Sequence, residues 1–350
     1  MSLRKRLAAE IAAEGPISVA QFMARCLHDP QHGYYATRPA LGPDGDFITA
    51  PLVSQMFGEL VGVWAVAAWQ ALGAPPKVRL VEMGPGDGTL MSDLLRAARM
   101  APAFLAAAEV WLVEVSEPLR VRQARLLGEA VRWAGSLAEV PGGVPLLLVA
   151  NELLDCLPAR QFVRTATGWA EQVVGLDAEG ALAFGLANAP QLPFPDAPVG
   201  AVWEQSAAQD ALGREIGARI VQDGGAALLI DYGRAHPGFG DTLQALRRHE
   251  KVDPLATPGE ADLTVHADFP AVLSAARAEG AETGLLTQGE FLARLGVGER
   301  AEALVRARPE KAAVIGRQLN RLVAADQMGE LFKAAIIYSP GWKPPAFEDA

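Results

Sequence analysis

The chain has 350 residues, half of them hydrophobic, enough to bury a large core as one elaborated domain or two. Its 41 acids against 31 bases give a net charge of −10, and with no basic run beyond Arg4-Lys5-Arg6, nucleic acid is not an expected partner. No apolar stretch reaches the roughly 18 residues a membrane span needs, so no span is expected.

Residues 3–14 and 19–27 read as two helices joined at Gly15-Pro16, with Ser18 as a good N-cap. Residues 28–46 form a polar, Gly- and Pro-rich loop carrying the tandem Tyr34-Tyr35. A helix follows, with Thr49 as cap and Pro51 in its first turn. Its stripe is Val53, Phe57, Leu60, Trp64, Ala67 and Ala71, and Pro75-Pro76 closes it.

Residues 77–93 organise the chain. Val78, Leu80 and Val81 make a buried strand; Gly84, Gly86 and Gly88 make a turn; a helix begins at Thr89-Leu90. Glycines at a helix N-terminus let a ligand approach the main chain. The dinucleotide fingerprint would need glycine at position 89, which is Thr. Glu82, two residues before the first glycine, suits a cationic amino-acid headgroup better than a pyrophosphate. The E-x-G-x-G-x-G pattern resembles the first motif of class I S-adenosylmethionine methyltransferases. Its bland reading is a tight strand–helix connection, but support lies downstream: residues 110–115 read as the next buried strand, and Glu114 at its end can accept both ribose hydroxyls of a nucleoside.

Residues 116–127 read as a helix and 131–133 as a third strand. Gly135-Ser136-Leu137 then follow, placed to offer main-chain groups to an adenine edge. Residues 145–150 are continuously apolar, as a central parallel strand requires, and run into Asn151-Glu152-Leu153-Leu154-Asp155. Residues 158–198 alternate loosely, as a hairpin or meander does. Residues 202–221 read as helical and 226–230 as a fifth strand ending in Asp231-Tyr232-Gly233. Residues 235–268 read as a long loop holding His249, Asp253, Asp262, His266 and Asp268. Helix, strand (282–287), helices and a last strand (332–338) complete the chain.

GYY at 33–35, GDFITAP at 45–51, SQMFGEL at 54–60, GPGDGTLM at 84–91 and NELLDCLPARQF at 151–162 come in order. IDYG at 230–233, DTLQA at 241–245, DLTVHADF at 262–269 and MGELFK at 328–333 follow. Together these resemble the MidA-like family of methyltransferases, which includes the mitochondrial assembly factor of respiratory complex I. Leu52-Val53, and Met83 and Asp87 around Glu82, depart from that family's pattern.

The expected fold is α/β: a class I methyltransferase Rossmann-like doubly wound sheet. Residues 1–75 would form a helical cap or lid, 76–157 and 222–350 the cofactor domain, and 158–221 an inserted substrate subdomain. The cofactor implied is S-adenosylmethionine, held by Glu82, Gly84, Gly86, Gly88, Thr89, Glu114, Ser136, Leu137 and Asn151. Methyl transfer from a sulfonium is an in-line displacement, so alignment and electrostatics are needed rather than a nucleophilic triad. Asn151, Glu152, Asp155 and Asp231, at the ends of the fourth and fifth strands, would converge as an acidic pocket. A guanidinium suits it, with a carboxylate or His266 receiving the proton. Tyr34, Tyr35, Thr49, Pro51 and Gln55 would face substrate from the lid. Loop anchoring is the bland role for the tyrosines, and surface hydrogen bonding for His266.

The resemblance implies a protein-arginine substrate, with a complex I subunit as the candidate target; a homodimer is allowed. A small-molecule or lipid methyltransferase, or a cofactor-binding assembly factor acting through partner contact, stand as alternatives. Scattered histidines, and only Cys26 and Cys156, predict no metal site and a reduced, cytoplasmic setting.

Overall fold

Seven strands make up the path of the main sheet in the computed structural model, which describes residues 1–37 and 49–349. In chain order they are β1 (Val78–Met83), β2 (Ala108–Val113), β3 (Val131–Ala134), β4 (Leu146–Asn151), β5 (Gly225–Arg234), β6 (Glu282–Thr287) and β7 (Phe332–Tyr338). Their spatial order is β3-β2-β1-β4-β5-β7-β6. The first five run parallel, and β7 is antiparallel to β5 and β6. The doubly wound α/β sheet expected from the sequence is therefore present, with the last strand lying between β5 and β6.

The helices used below are α1 (Leu3–Glu14), α2 (Val19–His28), α3 (Gln55–Ala71), α4 (Thr89–Ala98), α5 (Glu117–Leu127), α6 (Ala207–Asp223) and α7 (Phe269–Ala278). A strand with both faces covered must be apolar at every position, and β1 and β4 are buried along almost their whole length. Leu80, Leu147, Val149, Leu228 and Ile230 pack toward α3 and α4, whereas Val81, Leu146, Leu148 and Leu229 pack toward α6 and α7. Both helix pairs approach closely through glycines four residues apart. A Cβ on Gly58 or Gly62 of α3 would come 2.6 Å from the Asp93 Cβ and 2.7 Å from the Leu94 carbonyl oxygen of α4. On Gly213 or Gly217 of α6 it would come 2.5 Å from the Val272 and 2.8 Å from the Ala276 carbonyl oxygens of α7.

A second, antiparallel sheet joins Arg160–Thr165, Gly168–Leu176, Leu182–Asn188 and Val202–Gln205, and Ile17–Ser18 pairs with it through Ile17 and Val174. The apolar stripe of α2 (Val19, Phe22, Met23, Cys26, Leu27) buries against Val174, Leu182, Ala245 and Leu263 of this region.

The packing departs from the expected division of the chain. Residues 1–75 do not act as one cap: α1 and α2 belong to the small-sheet core, while α3 belongs to the main sheet. The helix expected over 202–221 starts with a strand, and α6, taken as part of the insertion, covers the main sheet. The long loop over 235–268 contains a three-stranded sheet of Gln244–Arg247, Glu250–Val252 and Asp262–Thr264. Its strands are too short and polar for periodicity to reveal, and Ala245 and Leu263 anchor them in the N-terminal core. Ser54, extended at φ −162°, breaks the helix expected from Thr49 and caps α3 by accepting from the Met56 N–H.

Glycine substitutions should therefore separate by sign. Gly217→Ala forces a Cβ onto main-chain atoms and is expected to cost about 1–3 kcal/mol. Gly316→Ala, inside the helix Ala312–Val323 with nothing within 4 Å, is expected to stabilise by about 0.5–1 kcal/mol. Denaturant melts read both, and equal effects would contradict the packing described.

Candidate functional site

Parallel strands deliver their carboxyl ends to one edge, and there the ends of β1, β2 and β4 surround a cavity of about 670 Å³. At the end of β1, Gly84, Gly86 and Gly88 have φ of 65°, 53° and 88°, the left-handed region that glycine enters without strain. The Gly84 N–H donates to the Val113 carbonyl at 3.1 Å, tying the turn to β2, and Gly88 caps α4. Asp87, the acid that departs from the family pattern, accepts the Thr89 N–H at 3.0 Å and lies 3.9 Å from Arg122.

Glu82 and Glu114 both line the cavity. Burial, then the neighbouring Asp87, holds the Glu82 carboxyl well above the usual range, and its Oε2 is buried with no partner among the described residues. Glu114 accepts the Ser116 N–H at 2.7 Å and the Gln123 amide at 3.3 Å. Burial raises its carboxyl, and those two donors oppose the rise.

The other end of the cavity is acidic. Residues 151–155 do not begin a helix. Glu152 sits at φ 52°, a strained conformation for a non-glycine residue, with its N–H on the Ile230 carbonyl at 2.8 Å. Its Oε1 accepts from the Ala50 N–H at 3.1 Å and the Asn151 amide at 3.0 Å. Burial, then the Asp155 charge, pushes the Glu152 carboxyl up to about 8. Asn151 Oδ1 is buried and without a partner among the described residues.

Asp155 and Asp262 complete the acidic wall. Burial lifts Asp155 to about 6, with the Tyr232 hydroxyl opposing the lift. Asp262 accepts the Tyr35 hydroxyl at 3.0 Å, and His28 stacks on Tyr35 at 5.9 Å. His28 lines the cavity and burial pushes it below its ordinary value, toward the neutral imidazole. The sequence places Asp262 in a loop and His28 at a helix end, and neither position by itself shows that the residue meets the site. Both reach the wall through tertiary packing, although the DLTVHADF motif was a visible signal for Asp262.

Of the expected residues, Glu82, Gly84, Gly86, Glu114, Asn151, Glu152, Asp155, Tyr35, Thr49 and Pro51 line the cavity. The others do not. Asp231 turns away: its Oδ2 accepts the Leu154 and Asp155 N–H groups at 2.8 and 3.1 Å, and its Oδ1 accepts the Tyr232 N–H at 2.8 Å. It holds the acidic turn from behind. His266 is half-buried, edge-on to Tyr232 at 5.5 Å, and burial with the charges of Arg234, Lys333 and Lys251 lowers its basicity; it does not line the cavity. Leu137 is buried in the core and Ser136 starts a short turn, and the wall on that side comes from Val115–Leu119 instead. Tyr34 is buried beneath Tyr35, Gln55 is exposed and bonds Glu59, and Gly88 and Thr89 serve the helix start. Residues 38–48 of the expected cap lie outside the described residues.

A glycine turn after the first strand, an acid after the second and a polar cluster after the fourth define a nucleoside-binding methyltransferase site. Residues 60–287 match the sequence profile of a family of S-adenosyl-L-methionine-dependent methyltransferases. The chain is also 36% identical to the Danio rerio protein arginine methyltransferase NDUFAF7, mitochondrial, over 95% of this chain and 86% of the relative. The Homo sapiens protein of that name is 34% identical, over 94% and 81%. A Burkholderia thailandensis protein crystallised with S-adenosyl-homocysteine superposes with a TM-score of 0.84 at 29% identity, covering 96% of this chain and 91% of that one. The chain belongs to this S-adenosylmethionine-dependent methyltransferase family. The relatives are named as mitochondrial, which corrects the expectation of a cytoplasmic protein drawn from the two cysteines and from the acids Glu10 and Glu14 near the N-terminus.

The residues present fit the cofactor. Two orphaned acceptors, Glu82 Oε2 and Asn151 Oδ1, suit the N–H donors of an ammonium group. Gly86→Val tests the turn. At φ 53° a β-branched residue is expected to cost about 1–3 kcal/mol of stability and to abolish S-adenosyl-homocysteine binding in calorimetry. Unchanged affinity in a folded variant would remove the turn from the site.

Proposed function

We propose that this chain methylates a guanidinium nitrogen of an arginine side chain in a protein. The observation that carries the proposal is the acidic wall: Glu152, Asp155 and Asp262 line the end of the cavity beyond the glycine turn, and among the described residues no Lys or Arg lines it. A docked cation favours the ionised form of these buried acids, an advantage that a neutral small molecule or lipid would not draw on. The relatives named protein arginine methyltransferases support the same reading. By the family resemblance, the target is a subunit of respiratory complex I.

S-adenosylmethionine supplies an electrophilic methyl on a sulfonium. Glu82 and Asn151 would take its amino-acid end and Glu114 its ribose. The carboxylates of the acidic wall accept the guanidinium fork through charge-assisted pairs and turn one terminal nitrogen toward the methyl, a geometry that lysine matches poorly. Glu152 is the chosen proton acceptor. Its carboxyl is neutral in the free protein near pH 7 and ionises when a cation docks beside it, and the anion then takes the proton that the guanidinium loses.

Glu152→Gln keeps the shape and the acceptor for the Ala50 N–H but removes the charge. Losing one partner of a buried ion pair costs about 3–5 kcal/mol, so methyl transfer to an arginine peptide is expected to fall by roughly 100- to 1,000-fold or more. Affinity for S-adenosyl-homocysteine should stay within a few-fold of the parent. In the parent, kcat/KM should rise with pH through about 8, where Glu152 loses its proton, and this limb should vanish in the variant. Stability moves the other way. The unfolded carboxyl releases its proton near about 4.3, so between that value and 8 the folded state binds more protons and stability falls as pH rises. Glu152→Gln should therefore melt above the parent at high pH. Normal arginine methylation by the variant would sink the proposal.

A further inference from the structure

Behind the cavity wall, Gln123 of α5 is fully buried, and both ends of its amide are engaged. Its Nε2 donates to the Gly86 carbonyl at 2.7 Å and to Glu114 Oε2 at 3.3 Å, while its Oε1 accepts the Trp133 indole N–H at 2.8 Å. The side-chain stem lies under the turn, since a Cβ on Gly88 would stand 3.4 Å from Gln123 Cγ. Gln123 therefore spans the glycine turn, the acid after β2 and the third strand, without itself lining the cavity.

The direction of the amide is determined. An indole N–H can only donate, so Trp133 must face the amide oxygen, and the NH₂ is thereby forced toward Gly86 and Glu114. Glu114 in turn is gripped on both oxygens, Oε1 by the Ser116 N–H at 2.7 Å and Oε2 by Gln123. A carboxylate held this way cannot rotate, and its remaining lone pairs keep one orientation toward the cavity. Because the same NH₂ also holds the Gly86 carbonyl, the acid and the turn keep a fixed spacing.

We propose that Gln123 is a positioning residue for cofactor binding, clamping Glu114 to the glycine turn so that its carboxylate meets the ribose diol, with Trp133 setting the sense of the amide. The inference rests on Glu114 being the diol acceptor, and the test separates the two ideas. Calorimetry measures the affinity of the full-length protein for S-adenosyl-homocysteine and for its 2′-deoxyribosyl analogue. In the parent, loss of the hydroxyl that meets a charged acceptor should weaken binding by about 10- to 100-fold.

Glu114→Ala should bring the ratio of the two affinities close to one; if it does not, the diol reading of Glu114 fails. Gln123→Leu preserves volume and removes the bonds. It should weaken S-adenosyl-homocysteine about tenfold or more and shrink the deoxy ratio to within about threefold, because a misaimed acid no longer distinguishes the hydroxyl. A general loss of packing would weaken both ligands equally and leave the ratio alone. Trp133→Phe keeps the amide but frees it to turn over, so it should shrink the ratio too, and it carries the test should Gln123→Leu not fold. A parental ratio in a folded Gln123→Leu, or in Trp133→Phe where that variant carries the test, while Glu114→Ala collapses it, would overturn the role given to Gln123.

Discussion

One buried carboxylate shapes the reactive end of this molecule. Asp231, among the last residues of the central strand β5, which runs on to Arg234, spends its oxygens on three main-chain N–H groups, those of Leu154, Asp155 and Tyr232. A turn after β4 that fails to become a helix leaves amides to be satisfied, and in an enclosed site each unsatisfied amide costs on the order of 1–3 kcal/mol. Asp231 meets that need, and the consequence is geometric. With the turn fixed, Glu152 is held at φ 52° and Asp155 joins it on the cavity wall. The acidic pocket is thus built by an acid that does not enter it.

Bringing Glu152, Asp155, Asp231 and Asp262 so close is electrostatically unfavourable. Burial raises Glu152, Asp155 and Asp231 above the ordinary carboxylate range, and repulsion from neighbouring acids adds to the rise at Glu152 and Asp231. Such a site is a reservoir of ionisable charge, stable while empty of cation and ready to ionise around one. The nucleoside half is built differently, from glycines and isolated acids. Glu82 and Asn151 keep buried acceptors unpaired, and Glu114 is held by donors that leave it facing the cavity.

What could be read from the sequence was local. A strand, three glycines and a helix start within residues 78–90 specify a turn whatever surrounds it, and the apolar runs of β1 and β4 place it at the sheet's edge. Glu114 and the Asn151–Asp155 stretch were legible because each follows a strand directly. Asp231 was found by the same rule, but the rule gives the position of a strand end and not the direction of its side chain. His28, Asp262 and Gln123 were missed because each reaches the site through packing across distant segments, as Asp262 does through Tyr35, 227 residues away. For His266 the position in a polar loop was legible, but the packing that sets its ring edge-on to Tyr232 and off the cavity wall was not.

In the proposed reaction an arginine cation is received by carboxyls that give up protons to receive it. The direct measurement is the heat of binding an arginine peptide to the protein loaded with S-adenosyl-homocysteine, near pH 7, in two buffers of different ionisation enthalpy. Arginine keeps its own proton at that pH, so any proton exchanged comes from the protein. With Glu152 titrating near 8, release of on the order of one proton per peptide is expected, and none from Glu152→Gln. Binding with identical heats in both buffers would contradict the account.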